Sequence, residues 1–198
     1  MGFLFTLLLV ALNVFIAYWN ARAIAPVWRY RGQMDWMMYL VTLSAFVMSV
    51  VGFSMPLILG GTFGALALGL IPAAGAKAAM GMWYLSVIVP VLGASLIITA
   101  HSWIEAWRRR DLTSALVTAW NTGATIHNFA SAPSGIEAAL DGIGSFVSSV
   151  MADEDGFLPG LALLLVVAIV VGSLFGGVYA TLKVIAKHRE DRIIEGIA

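Results

Sequence analysis

Between Trp36 and Ile104 the chain runs for 69 residues with a single charged side chain, Lys77. A water-soluble domain distributes ionised groups over its surface. A bilayer excludes them, because hydrocarbon cannot solvate a charge. A block this long and this neutral is read as crossing a membrane more than once. Inside lipid every backbone N–H and C=O must be paired within the protein, and a helix does this within one segment. The chain is therefore expected to be an all-α, polytopic helical membrane protein, with residues 1–198 forming one integral membrane domain.

Composition agrees and narrows the function. The chain is 61% hydrophobic and 11% charged, against about 25% charged in soluble domains. Its 11 basic and 11 acidic residues cancel, which speaks against nucleic acid as a partner, since phosphate binding needs an excess of Lys and Arg. There is no Cys, which excludes disulfides, thiolate catalysis and Cys-ligated metals. The expected partners are the bilayer itself and other membrane subunits or further copies of the chain.

Four segments have the length and apolarity of a crossing helix: residues 3–19, 36–57, 82–103 and 161–182. Aromatic residues flank them where headgroups should lie: Tyr18 and Trp19, Trp36 and Tyr39, Trp83 and Tyr84, Trp103 and Trp107. The apolar stretch at the N-terminus has no basic residue ahead of it, so it reads as a retained span rather than a signal peptide. A fifth crossing or re-entrant segment is expected, with two candidates. One is residues 58–76, apolar but Gly-rich, which alternatively extends the second span past Pro56. The other is the uncharged region after Arg110.

Basic loops stay cytoplasmic, and counting them discriminates. The clusters are Arg22, Arg29 and Arg31; Lys77; Arg108 to Arg110; and Lys183, Lys187, Arg189 and Arg192. Four crossings divide them six to five. A crossing at 58–76 gives eight to three, and one after Arg110 gives ten to one. Both five-crossing arrangements put the C-terminal tail in the cytoplasm, and the expected location is a bacterial inner membrane.

Residues 112–152 form an amphipathic region in two parts. In the first, Thr118, Asn121, Thr125 and Asn128 make one polar stripe at helical spacing. Such a stripe suits a helix lying at the membrane surface, hydrogen-bonded helix packing, or a pore lining. In the second, Pro133-Ser134 with Glu137 has the spacing of a capping box and is expected to start a new helix. Its apolar stripe is Ile136, Leu140, Ile143, Val147 and Val150.

Along the last span, Ala168, Gly172, Gly176 and Ala180 recur every fourth residue and form a candidate helix-association groove. His101, Glu105 and His127 are the residues a metal or haem would draw on, but they make a ligand-poor set, and no cofactor is expected. Asn13 in the first span reads as helix–helix glue. Lys77 reads as an interfacial residue with a snorkelling stem. No catalytic motif appears, so the expectation is a non-enzymatic membrane subunit that self-associates and forms or supports a channel or an envelope-spanning assembly. A small-solute transporter, with a site at helix breaks near Pro56, Gly60-Gly61 and Pro90, is the main alternative. A haem or metal enzyme and a hole-forming lysis protein are the others.

Overall fold

The computed structural model describes residues 2–28, 31–152 and 157–195. They form five long helices: α1 (Gly2–Trp28), α2 (Trp36–Ala67), α3 (Ala73–Arg109), α4 (Leu112–Met151) and α5 (Phe157–Glu195). No strand occurs among the described residues. Four of the helices, α1, α2, α3 and α5, are long and apolar enough to cross a membrane. The chain is thus a multi-pass helical membrane protein by architecture as well as by composition.

The burial pattern inverts that of a soluble protein. Exposed side chains include Leu4, Leu8, Val89, Leu164 and Phe175, whereas Ser44, Ser49, Ser54, Thr62 and Thr181 are among the most deeply buried. Lipid gives no reason to bury Leu, but it gives a strong reason to bury hydroxyls, which then bond between helices. Ser49 donates to the Ala17 carbonyl at 2.8 Å and lies 3.2 Å from the Thr181 hydroxyl, tying α2 to α1 and α5. The Trp83 indole donates to Ser54 at 3.0 Å, tying α3 to α2.

Residues 58–76 turn out to be no separate element. α2 continues unbroken through Pro56 and Gly60-Gly61 to Ala67. It ends in a Schellman motif, with Gly69 at φ +68°, Gly69 N–H bonding Leu66 O and Leu70 N–H bonding Ala65 O. Pro72 then leads into α3, which in turn runs straight through Pro90. The helix breaks on which the transporter alternative relied near Pro56, Gly60-Gly61 and Pro90 are absent, and the second span extends past Pro56.

The expected second helix at Pro133 also does not form. α4 is one helix of 40 residues, and the Ser134 hydroxyl donates to the Ser131 carbonyl instead of capping. Ser131 likewise donates to the His127 carbonyl. Both hydroxyls bond back within the helix, which continues through Pro133. Its inner face differs from the expected one too. Of the expected stripe, Leu140 and Val147 are exposed, whereas Ile136, Ile143 and Val150 are half-buried beside the buried Ala132, Ala139, Gly142 and Phe146.

α3 and α4 form an antiparallel hairpin joined by only Arg110 and Asp111. Arg110 adopts the left-handed conformation, and Asp111 caps α4 by accepting from Ser114 N–H at 2.7 Å. Pairing runs the length of both helices, from Ser102 with Thr118 to Gly75 with Phe146. At about 1.5 Å per residue, α3 and α4 are each roughly 55–60 Å long, well beyond the ~30 Å hydrocarbon core. α4 packs almost wholly on α3, whereas α2 touches α1, α3 and α5.

Close backbone approach depends on particular glycines. A Cβ on Gly81 would stand 2.7 Å from the Ala139 carbonyl oxygen, and one on Gly177 would stand 2.5 Å from the Val50 oxygen, whereas Gly123 faces open space. Gly81→Ala and Gly177→Ala should each lose about 1–3 kcal/mol through overpacking. Gly123→Ala should be neutral or slightly stabilising, because it removes helix-interior flexibility. Thermal unfolding in mild detergent checks this; equal melting temperatures for all three variants would refute the close-approach account.

Candidate functional site

Between Ser114 and Pro133, α4 is polar inward and apolar outward. Its buried or half-buried residues are Ser114, Thr118, Asn121, Thr122, Thr125, Asn128, Ser131 and Ala132; apart from His127, every exposed residue is apolar or Gly. The polar stripe therefore faces the protein. Thr118 donates to the Ser102 carbonyl at 2.8 Å, and Thr125 to the Ser95 carbonyl at 3.2 Å. Thr99 bonds both the Asn121 carbonyl and the Thr125 hydroxyl, and the Asn128 amide donates to Ser95 Oγ at 3.0 Å. With the Trp103 indole on Thr122, six side-chain hydrogen bonds join this half of the hairpin. At about 0.6 kcal/mol each in a membrane, they contribute on the order of 4 kcal/mol.

Because α4 leans on α3 alone, a cleft opens between α2 and the hairpin, with α3 as its floor. Its middle compartment is about 400 Å³ and also reaches α1. Asn13 and Asn20 come from α1, Tyr84, Ser95 and Thr99 from α3, and Asn121, Thr125 and Asn128 from α4. Among the described residues that line it there is no carboxylate, ammonium, guanidinium or imidazole. Asn13 spends its amide N–H on the Leu9 carbonyl at 2.8 Å. The side-chain amides of Asn20 and Asn121 and the hydroxyl of Tyr84 make no hydrogen bond within the described protein. All three residues are half-buried, so the cleft wall carries donors and acceptors that no other described residue engages.

Charge appears only beyond the ends. Toward Arg110, Ile98 and Asn121 also line a vestibule of about 470 Å³ that contains His101, Glu105, Arg109 and Asp111. Toward the α2–α3 turn, Trp83 and Tyr84 also line a groove of about 780 Å³ that contains Lys77 and Asp141. The three compartments follow one another along the hairpin.

The other expected site residues are dispersed. His101 sits in the vestibule, and Glu105 pairs with Arg109 at 2.8 Å and Arg108 at 3.8 Å. His127 is exposed on the outer side of α4, roughly 9 Å along the hairpin from His101. No group of three His, Asp or Glu gathers among the described residues. On α5, Ala168 and Gly172 are exposed, and Gly172 meets nothing, but Gly176 lies against Leu57 of α2 and Ala180 is half-buried. The GxxxG is thus divided between an outer surface and an internal contact.

Asn20, Ser95, Thr99 and Tyr84 escaped sequence reasoning because each is an isolated polar residue in an apolar run. Only the stripe on α4 had a readable period. Comparison with protein-family models, with characterised proteins and with solved structures finds no match for this chain.

The vestibule contains Asp111, whose pKa is displaced. The Ser114 backbone N–H bonded to Asp111 holds its carboxyl below the ordinary 3.8, assisted by the Ser114 hydroxyl and the charge of Arg109. A depressed carboxyl stabilises the fold fully above its unfolded value and loses that contribution as pH falls through the folded one. Wild type should therefore melt higher than Asp111→Ala at pH 7, and the gap should shrink below pH 3.8. Paired melting curves from pH 7 to 3 check this; a gap that stays constant would assign the effect to something other than the ionised cap.

Proposed function

We propose that the protein is a five-crossing membrane protein that admits a small, uncharged, hydrogen-bonding solute to the cleft and passes it across the bilayer. The observation that carries this reading is the middle compartment, where amides and hydroxyls of α1, α3 and α4 face apolar side chains such as Met48, Val51 and Met55, with acidic, basic and imidazole groups confined to the compartments beyond it. Neutral dipoles can replace the water around an uncharged polar solute. They offer little to an ion, whose lost hydration needs an opposite charge. The second reading, a subunit of a larger membrane assembly, draws on the exposed Ala168 and Gly172 and on the single-sided support of α4.

Three features support α4 as the fifth crossing. It is coextensive with α3, it turns apolar side chains outward, and it is uncharged from Leu112 to Ile136, between Asp111 and Glu137. A crossing there gives the ten-to-one division of basic residues, with Lys77 alone on the outer side. The ends of α3 at Arg109 and α5 at Glu195 then face the cytoplasm, and the α2–α3 turn faces out. Because the chain has no native Cys, Leu70→Cys, Ala152→Cys and Arg110→Cys give single reporters. An impermeant maleimide applied to intact cells should label the first two and spare the third. Labelling at position 110 without labelling at 152 would overturn the topology.

The solute reading is tested by stopped-flow light scattering of proteoliposomes with glycerol and urea as probes. Influx should exceed that of protein-free vesicles. Asn121→Leu, which removes a polar group with no structural bond, should slow it by about tenfold, the scale of one lost hydrogen bond in a dry site. Influx equal to that of empty vesicles for both probes would overturn the proposal.

A further inference from the structure

The groove at the α2–α3 turn carries chemistry the neutral cleft does not use. Lys77 and Asp141 are the only charged residues in its wall. They come from neighbouring points on the hairpin, since a Cβ on Gly142 would stand 3.2 Å from the Lys77 carbonyl oxygen. Neither belongs to an ion pair among the described residues. Two opposite charges held on one wall without closing on each other make a bipolar site. The rest of the groove is apolar or small, with Phe63, Leu66 and Met80 prominent, and Phe63 is 61% exposed at its edge. Thr62, 1% exposed, lines the same groove, and its buried hydroxyl has no partner. The groove begins at Trp83 and Tyr84, aromatic residues of the kind that sit at headgroup level.

We propose that this groove binds a phospholipid with an ethanolamine headgroup, its phosphate at Lys77, its ammonium at Asp141 and an acyl chain directed past Met80 toward the bilayer. The headgroup chemistry selects the occupant. A primary ammonium donates hydrogen bonds to a carboxylate, whereas the quaternary ammonium of choline has no N–H to donate. A glycerol headgroup leaves net negative charge beside Asp141. A lipid ester or phosphate oxygen also gives the Thr62 hydroxyl an acceptor, removing the cost of a buried unpaired donor. The lipid lies on the far side of Trp83 and Tyr84 from the neutral compartment and does not depend on solute passage.

Native mass spectrometry of the full chain in mild detergent, with equal amounts of palmitoyl-oleoyl phosphatidylethanolamine, phosphatidylcholine and phosphatidylglycerol, tests this. The wild type should retain the ethanolamine lipid preferentially. Lys77→Ala and the isosteric Asp141→Asn should each reduce that retention about tenfold, as expected for losing one charge-assisted hydrogen bond. Glu137→Gln, one turn away and outside the groove, should keep it, and melting curves confirm that all variants fold. Equal retention of the three lipids by wild type, or full ethanolamine preference in Asp141→Asn, would overturn the site. A null result in the glycerol and urea assay leaves this outcome unaffected, so the two readings fail separately.

Discussion

Hydrogen bonds from hydroxyl and amide side chains govern the pairing of α3 with α4. Six Ser, Thr and Asn residues lie on one side of α4 between Ser114 and Ser131, interleaved with Thr122. In water they would be a solvated face. Here they meet protein instead, because α3 offers Ser95, Thr99 and Ser102 at matching heights. The two-residue turn at Arg110 and Asp111 brings the faces together with no slack to change register.

The hairpin is held by two different means along its length. Near Arg110 it is hydrogen bonds. Toward Lys77 it is close approach of small residues, with Gly81 on Ala139, Gly142 on the Lys77 backbone and Phe146 over Gly75. Tyr84 lies across Gly135 where the two regimes meet, so its ring occupies the space that a side chain at 135 would fill. Because both means act between α3 and α4, α4 needs nothing from α1 or α2. The cleft follows from this: the helix that forms one wall is anchored to the floor and not to the opposite wall.

The helical membrane character was legible from the absence of charge between Trp36 and Ile104, and the polar stripe from the period of Thr118, Asn121, Thr125 and Asn128. What each stripe faces was not legible. A neutral polar face suits water at a membrane surface as well as a partner helix, and only the proximity of α3 decides between them. Punctuation was misleading for a related reason. Pro56, Pro90 and Pro133 would end or kink helices in a water-soluble protein, yet α2, α3 and α4 each continue through them, as proline is tolerated within packed membrane helices. The apolar stripe through Ile136, Leu140, Ile143, Val147 and Val150 is split, with Leu140 and Val147 turned outward. In lipid large apolar residues turn outward and small ones inward, which is where Ala139 and Gly142 are found. The GxxxG of α5 shows the same limit, since spacing alone does not reveal that Gly176 meets Leu57 while Gly172 meets nothing.

The distribution of charge along the cleft bears on what the proposed solute can be. Asn20, Asn121 and Tyr84 are the groups left unpaired, and all three are neutral dipoles that both donate and accept. A site built from such groups matches hydroxyls and amides in either direction, which favours breadth over strict selection. Selection is then left to the ends. On the proposed topology the outer groove holds one Lys and one Asp, and the vestibule holds Glu105 already neutralised by Arg109 together with a capped Asp111. Neither end presents a net field strong enough to concentrate ions of one sign. An ion that passed either end would therefore lose hydration in a middle compartment with no compensating charge, whereas an uncharged solute would exchange water for amides at little cost.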